Sequence, residues 1–179
     1  MSRKLKHLAT GRYVGLVQDP STGWEYATRT TGIGIVVIVA TTATGELVLV
    51  EQIRPPLAGR VLELPAGLAG DLIGTAEETL LDAAKRELYE ESGYVSERWS
   101  SLSSSVPSAG ITDEVHTYFH ADDCRKLGTG GGDASECIET QLVKRTQLPS
   151  FLHRYAVVSG QYVSGTVWAG LAMLTAKDA

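Results

Sequence analysis

Residues 63–94 constrain this chain more than any other stretch, because they read as a strand end, a glycine-rich turn and one acidic helix. The letters are ELPAGLAGDLIGTAEETLLDAAKRELYEESGY. Thr75 and Glu78 form a capping box, in which each side chain bonds a backbone amide of the first turn, and Gly93 supplies a left-handed C-cap. The pattern therefore predicts a helix over 76–92.

The acidic residues of this helix lie on the face that should be buried. At roughly 100° per residue, Glu87 and Glu91 continue the apolar stripe of Leu80 and Ala84, and Glu90 lies about 60° to its side. Carboxylates placed in this way repel one another and lose hydration unless a cation lies among them. Mg²⁺ suits them because it takes oxygen ligands and keeps positions for water and phosphate. Taken alone, a glutamate pair at helical spacing is more often a solvated helix end, and that alternative stays open here.

Composition bounds the class of protein. The chain has 179 residues, of which 43% are hydrophobic and 21% charged, which is enough for one compact domain with a sizeable core. The net charge of −5 and the absence of a Lys/Arg run argue against nucleic acid as a partner. Cys124 and Cys137 lack the spacing of a metal site or a disulfide framework, which favours thiols in a reducing compartment. With no apolar segment after the basic N-terminus and no stretch of membrane-spanning length, we expect a cytoplasmic protein without a membrane partner.

The rest of the chain alternates between strands and helices. We expect a small N-terminal sheet within residues 1–32 and a main domain over residues 33–179. Main-domain strands are predicted at 33–40, 47–53, 61–64, 99–105, 115–120 and 138–143, and helices at 148–155 and 166–175. The glycine-rich segment 127–135 is expected to be mobile. This order predicts an α/β fold with a mixed sheet between helices.

The run RELYEESGY at residues 86–94, with Glu78 eight residues before Arg86, resembles the signature of the Nudix hydrolases. In that signature a glycine, a glutamate and an Arg-Glu-aliphatic-x-Glu-Glu-x-Gly-aliphatic core occur at fixed spacing. Ten residues separate Gly67 from Glu78, where the family has only five, which predicts an insertion within residues 68–76 that keeps the helix register. The resemblance implies an αβα sandwich from Ile33 onward and Mg²⁺ as the cofactor, with Mn²⁺ as an alternative.

The same resemblance implies roles for the helix residues. Glu87, Glu90 and Glu91 are metal ligands together with the backbone carbonyl of Ala66, and Glu90 also counts among the catalytic residues. Arg86 orients this cluster by pairing with a neighbouring carboxylate. On spacing alone, Arg86 could equally form an i,i+4 surface pair with Glu90.

Four further segments narrow the resemblance to the ADP-ribose pyrophosphatase group. They are WEYATR at 24–29, EQIRPP at 51–56, ELPAG at 63–67 and SAGITDE at 108–114. The resemblance implies that Trp24 stacks on the base, that Arg29, Arg54 and Glu114 bind the substrate near its diphosphate, and that the N-terminal strands exchange across a homodimer. Without the resemblance, Trp24 could be a partly buried core aromatic and the arginines could be rim ion pairs.

A late acidic residue completes the site that the resemblance implies. Glu136 matches the glutamate that in this group approaches the metals from a mobile loop as base or ligand. Asp133, which we also expect to contact substrate, and Glu139 could do the same work. An acid beside glycines is by itself more often a solvated loop residue.

Together these patterns predict a Mg²⁺-dependent pyrophosphohydrolase that splits a nucleoside diphosphate sugar, ADP-ribose first, into a nucleoside monophosphate and a sugar phosphate. A broader hydrolase of GDP- or UDP-sugars is an alternative, because Trp24 can stack on any base. Ala109 and Ile111 depart from the group's Ser-Pro-Gly-Phe-Ser-Asp-Glu segment, which leaves the sugar open. A catalytically silent Nudix domain that senses a ligand is a further alternative, although such a domain is expected to lose acidic positions that this chain retains.

Overall fold

The computed structural model of the chain describes residues 4–70, 77–132 and 137–178. The strands are β1 (Lys6–Thr10), β2 (Val14–Gln18), β3 (Glu25–Arg29), β4 (Gly34–Thr42), β5 (Glu46–Arg54), β6 (Gly59–Glu63), β7 (Ala66–Ala69), β8 (Tyr94–Val95), β9 (Arg98–Ser105), β10 (His116–Lys126), β11 (Glu139–Lys144) and β12 (Tyr162–Val163). The helices are α1 (Leu80–Glu87), α2 (Leu148–His153) and α3 (Gly165–Lys177). In this part of the chain, no helix has both the length and the apolar character needed to cross a membrane.

Two sheets organise the described residues. The N-terminal strands form a small antiparallel sheet in the order β1-β2-β3. The main sheet runs β12-β6-β5-β4-β10-β8, while β11 pairs with β5, β7 with β4, and β9 with β10. The β4–β10 and β6–β12 pairs are parallel and the other pairs are antiparallel, so the sheet is mixed as predicted.

The β-branched run of β4 is explained by burial on both faces of the main sheet. Val37 and Val39 join the core cluster that includes residues of α2 and α3, whereas Val36 and Ile38 join the cluster that includes residues of α1. All four side chains are 0% exposed. Because side chains alternate along a strand, helices on both faces require an uninterrupted apolar sequence. The predicted layered α/β fold is therefore confirmed.

Two features position the site. The residues 66–69, predicted as a glycine-rich turn, instead form β7, which pairs with β4 from Gly34–Ala69 to Val37–Ala66. The N-terminal sheet is tied to the loop before β10, because the Ala27 amide donates to the Ile111 carbonyl at 2.7 Å. The strand β7 and the loop before β10 therefore both lie near the start of β4.

Candidate active site

The acidic helix begins later than the sequence predicts. Thr79 is its N-cap, since the Thr79 hydroxyl accepts from the Asp82 amide at 3.1 Å, and α1 starts at Leu80 rather than at residue 76. Thr75 of the predicted capping box lies outside the described residues. Gly93 ends the helix with φ of +72°, as predicted.

The last turn of this helix, Leu88–Ser92, is π-helical. Such turns insert an extra residue and occur frequently at functional sites. Here Glu91 is buried at 4% exposure, and its Oε2 accepts from the Ala66 amide at 3.0 Å. Glu87 is nearly buried, with 12% of its side chain exposed, whereas 45% of the Glu90 side chain is exposed. Two of the three helix glutamates predicted as metal ligands are therefore largely buried, and the third, Glu90, is exposed.

Arg86 gathers the carboxylates around it. Its guanidinium donates to Glu78 at 3.0 and 3.2 Å, to Glu87 at 2.7 Å and to Glu90 at 3.0 Å. It also donates to the Leu68 carbonyl of β7 at 2.9 Å. The hydrogen bonds that Arg86 donates to Glu78, followed by the surrounding negative charge, raise the pKa of Arg86 above its usual range. Arg86 therefore makes both of the contacts considered from the sequence. It pairs with the neighbouring carboxylate of Glu87, and it forms the i,i+4 pair with Glu90.

Glu78 shows how the insertion is accommodated. Its Oε2 accepts from the Gly70 amide at 3.1 Å, so the two described ends of the inserted segment lie together. The hydrogen bond from Arg86 lowers the pKa of Glu78 below its ordinary value, despite the opposing effect of burial. The predicted insertion lies largely outside the described residues, and its effect on the helix register stays a prediction.

Gly67 allows β7 to approach the acidic helix. A Cβ atom at this position would overlap the carboxylate of Glu87. Only glycine leaves room for that carboxylate, so the glycine has a steric reason that is independent of backbone conformation.

The donors at this point suit a hard divalent cation. They are the carboxylate oxygens of Glu87 and Glu91, which line one cavity beside Ala66 and Gly67 of β7. Within residues 4–70, 77–132 and 137–178, no three His, Cys, Asp or Glu side chains already converge as a ligand set. The oxygen-only chemistry nevertheless fits Mg²⁺, which keeps several waters and uses one or two carboxylates.

The cavity beside these carboxylates has a volume of about 460 Å³. Arg29, Arg54 and Glu114, all predicted substrate contacts, line it. Arg54 makes two 2.7 Å bonds to Glu63, and Arg29 makes a 2.5 Å bond to Glu114. The structure therefore brings the two arginines, the acidic helix and β7 to one cavity, with each guanidinium held in orientation by a carboxylate.

Trp24 lies elsewhere in this chain. It lines a separate cavity of about 380 Å³ and donates from Nε1 to the Gly110 carbonyl at 3.2 Å. Trp24 is 59% exposed, so the alternative that it is a partly buried core aromatic is wrong. A third cavity, lined by Arg29, Asp113 and Glu114 among others, lies between the two.

The glycine-rich segment is docked in its described part. The Gly131 amide donates to the Glu91 carbonyl at 2.8 Å, and the Gly132 amide donates to the Glu90 carbonyl at 3.0 Å. Residues 127–132 are thus hydrogen-bonded to the acidic helix and its C-cap, and the mobility of the segment stays a prediction. Asp133 and Glu136 lie outside the described residues.

Glu139 has a structural partner. It lies on β11, opposite Glu51, and its carboxylate is 2.8 Å from the Arg60 guanidinium. About 60% of its side chain is exposed. These contacts favour Glu139 as an ion-pair residue over its use as a base.

Sequence reasoning missed five polar residues that line the cavity beside Glu87 and Glu91. They are Gln52, Glu63, His116, Ser164 and Thr166. Glu63 had a signal, because it interrupts the apolar letters of the predicted strand 61–64. In the structure it is 7% exposed, and its hydrogen bonds from Arg54 offset the free-energy cost of burying a carboxylate. Gln52 lies on β5, His116 begins β10, and Ser164 and Thr166 lie at the start of α3; no local pattern marks these four.

Comparison with known proteins identifies the class to which this fold and site belong. Residues 30–162 match the model of the NUDIX domain. Since the match covers well over half of the 179 residues, the chain belongs to the Nudix family.

Individual relatives narrow the similarity. The chain is 33% identical over 94 residues to the ADP-ribose pyrophosphatase of Bacillus subtilis (strain 168), covering 52% of this chain and 48% of that protein. It is 38% identical over 95 residues to the ADP-ribose pyrophosphatase of Mycobacterium tuberculosis (strain ATCC 25618 / H37Rv), covering 53% and 44%. It is 35% identical over 107 residues to the methanol dehydrogenase activator of Bacillus methanolicus, covering 59% and 55%.

These relatives confirm the predicted resemblance to the ADP-ribose pyrophosphatase group. The chain spans about half the length of the curated relatives that it matches. A solved structure described as an ADP compounds hydrolase has the same fold, with a TM-score of 0.65 over 84% of this chain and 80% of the other at 18% identity.

Proposed function

We propose that this protein is a Mg²⁺-dependent pyrophosphohydrolase that cleaves the diphosphate of a nucleoside diphosphate sugar, with ADP-ribose as the first candidate. The observation that carries the proposal is the meeting of Glu87 and Glu91 with Arg29 and Arg54 in one cavity. Carboxylates hold a divalent cation and arginines bind phosphate oxygens, so the two sets together suit a diphosphate. Membership of the Nudix family and the similarity to ADP-ribose pyrophosphatases support the same activity.

The chain's own residues would divide the work in a definite way. Bound Mg²⁺ would neutralise phosphate charge and acidify a coordinated water. Glu87 and Glu91 would hold it, with Glu90 at the rim and the Ala66 carbonyl as a further ligand. Arg86 keeps the glutamates in place through its hydrogen bonds to Glu87 and Glu90. This arrangement fixes the carboxylates before the substrate arrives, which lowers the cost of reorganisation.

The two cavity arginines would bind the diphosphate. Each is already oriented by a carboxylate, Arg54 by Glu63 and Arg29 by Glu114. A guanidinium group that a carboxylate holds lies in a fixed plane, which suits the planar contacts between arginine and phosphate.

The proposal assigns the general base to Glu136. Its support is the docking of the preceding chain, since Gly132, four residues earlier, is bonded to the Glu90 carbonyl of the acidic helix. We also propose that the chain acts as a homodimer through its N-terminal sheet, where Val14 and Leu16 of β2 and the preceding Tyr13 are exposed.

A hydrolysis panel tests the function. Wild-type protein with Mg²⁺ should convert ADP-ribose into AMP and ribose 5-phosphate, with ADP-glucose, GDP-mannose and UDP-glucose ranked by kcat/KM. Turnover of nucleoside triphosphates alone would reject the proposed substrate class, and no turnover of any substrate would favour a ligand-sensing module. Glu87→Gln should lose most activity, while Glu97→Gln, the same change at an exposed glutamate, should not.

A further inference from the structure

A second cavity opens directly off the catalytic one. It has a volume of about 290 Å³ and lies between the β9–β10 connection and the N-terminal end of α3. His116, Ser164 and Thr166 line both cavities, so the two spaces share a wall. The two cavities are therefore adjacent at these three residues.

The charge of the two cavities differs. The described residues that line the second cavity include no Lys, Arg, Asp or Glu, in contrast to the catalytic cavity. Val106, Pro107 and Ala169 give it an apolar side, and the shared residues give it a polar side. Such a lining suits an uncharged group that has both hydroxyls and carbon faces, as a sugar ring does.

His116 has unused hydrogen-bonding capacity at the shared wall. Only 13% of its side chain is exposed, yet neither ring nitrogen makes a hydrogen bond to another described residue. The nearest carboxylate oxygen, Oε2 of Glu114, lies 4.0 Å from Nε2, which is too long for a hydrogen bond. A polar side chain that is largely buried without a hydrogen-bond partner is costly, so a ligand that supplies a partner is favoured.

The surroundings of His116 favour its neutral imidazole. Burial lowers the pKa of His116, and the charge of Arg29 acts in the same direction, while Glu114 opposes them. A neutral imidazole offers one N–H donor and one acceptor nitrogen, which match a hydroxyl group. It gives little to a phosphate, which the arginines of the catalytic cavity bind better.

The start of α3 extends the polar side. Ser164 caps the helix by accepting from the Thr166 amide at 3.3 Å, and the Thr166 hydroxyl donates to the Ser164 hydroxyl at 2.8 Å. The Ser164 hydroxyl proton makes no hydrogen bond to another described residue and remains available to a ligand. His116 and Ser164 thus offer hydroxyl-compatible groups from two different elements.

We propose that His116 is a specificity-determining residue that hydrogen-bonds the sugar on the far side of the cleaved diphosphate, which enters the second cavity. The inference rests on the proposed function and deepens it, because it assigns the sugar half of the substrate to a named wall of the site. The nucleoside half would lie toward the cavities lined by Arg29 and Trp24.

The test compares a sugar-bearing substrate with one that lacks the sugar. ADP-ribose and the methyl ester of ADP share the nucleoside and the diphosphate. His116→Leu should reduce the kcat/KM ratio of ADP-ribose to ADP methyl ester by about three- to tenfold, the usual scale for one uncharged hydrogen bond. His116→Gln, which keeps an amide donor and acceptor, should recover much of the ratio. His153→Leu, the same change at an exposed histidine of α2, should leave it unchanged.

A binding measurement separates this inference from the activity itself. In calorimetry without catalysis, His116→Leu should weaken ribose 5-phosphate binding by a similar factor and leave AMP binding unchanged. An unchanged substrate ratio in an active enzyme, or equal weakening of both products, would overturn the inference. If the wild type cleaves neither substrate, the proposed function fails, and the ribose 5-phosphate titration alone decides whether His116 contacts a sugar. His116→Phe replaces the leucine variant if that variant does not fold.

Discussion

Gly67→Ala tests whether the close approach of β7 to the acidic helix determines the position of Glu87. The backbone of Gly67 has no positive φ, so alanine suits its conformation. Its new Cβ, however, would come closer to the Glu87 carboxylate carbon and both oxygens than the 3.0 Å that real Cβ atoms keep. Either the strand or the carboxylate must move.

The carboxylate should move, because it is the far end of a flexible side chain whereas β7 is hydrogen-bonded to β4. A retreat of about 1.4 Å, from 2.0 Å to the 3.4 Å at which ordinary contact begins, restores contact distance. A misplacement of even about 1 Å can lower a rate by about 10²-fold. The free energy of unfolding should fall by less than about 1 kcal/mol, since only a partly hydrated side chain repacks. The expected variant is therefore folded and poorly active.

Two assays with one control check this result. Steady-state hydrolysis of ADP-ribose with Mg²⁺ gives kcat, and urea unfolding gives the free energy of unfolding. Gly59→Ala is the matched control, because that glycine also lies on a strand but its Cβ would be at an ordinary 3.6 Å from the nearest atom, the Leu57 carbonyl oxygen. A Gly67→Ala enzyme with wild-type kcat would refute the reasoning, and a loss of several kcal/mol in stability would show that the strand moved instead.

Four other outcomes are expected. Millimolar Mg²⁺ should raise the melting temperature of the wild type but not of Glu87→Gln, and equal shifts would reject Glu87 as a ligand. Trp24→Ala should raise the KM for ADP-ribose far more than it lowers kcat, because base stacking is worth about 1–3 kcal/mol and is remote from the reacting phosphates; an unchanged KM would contradict this. Glu136→Gln should lower kcat by about 10²-fold or more with a smaller effect on KM, and a nearly silent variant would move the role to another acid of that segment. Burial, followed by the charge of a neighbouring lysine, lowers the pKa of His120. Because the unfolded chain takes up a proton near pH 6.5 and the folded chain does so only at lower pH, stability should fall as pH drops below about 6.5. Urea unfolding of His120→Gln at pH 7 and 5.5 should show a smaller fall, and an equal fall would reject His120 as the source.

The strands that sequence predicts best are those buried on both faces. The run at residues 33–40 predicted β4 closely, because its continuous β-branched residues have no helical period. The strand β7 was missed, since alanine and glycine have low strand propensity and its pairing with β4 joins segments that are distant along the chain. Long-range backbone pairing overrides local propensity here.

The start of the acidic helix shows a conflict between two local signals. Thr75 with Glu78 and Thr79 with Asp82 both have the spacing of a cap followed by an acid. The helix starts after Thr79 because the Glu78 carboxylate accepts hydrogen bonds from Arg86 and from the Gly70 amide, which are each eight residues away. A capping pattern therefore predicts that a helix starts nearby, but tertiary partners select the residue.

The orientation of the three glutamates was predictable only in part. A regular helix of 3.6 residues per turn places Glu87 and Glu91 on one stripe, and both are indeed largely buried, while Glu90 is exposed. What the period cannot show is the π-helical turn, which depends on groups from outside the helix. The Glu91 carboxylate accepts from the Ala66 amide and the Glu91 carbonyl accepts from the Gly131 amide, so two distant segments hold that residue.

This double attachment explains why glycines surround the acidic turn on both sides. A Cβ at Gly67 would overlap the Glu87 carboxylate, and a Cβ at Gly130 would meet the backbone of Ser92 and Gly93. Residues with side chains would push the two segments away and leave Glu91 without one of its backbone partners. The positions of the glycines therefore follow from the close approach of two backbone segments to Glu91, one of which brings the Ala66 amide to its carboxylate and the other the Gly131 amide to its carbonyl. Amides have the advantage that they stabilise a negative charge without adding a positive one that would compete with a metal ion.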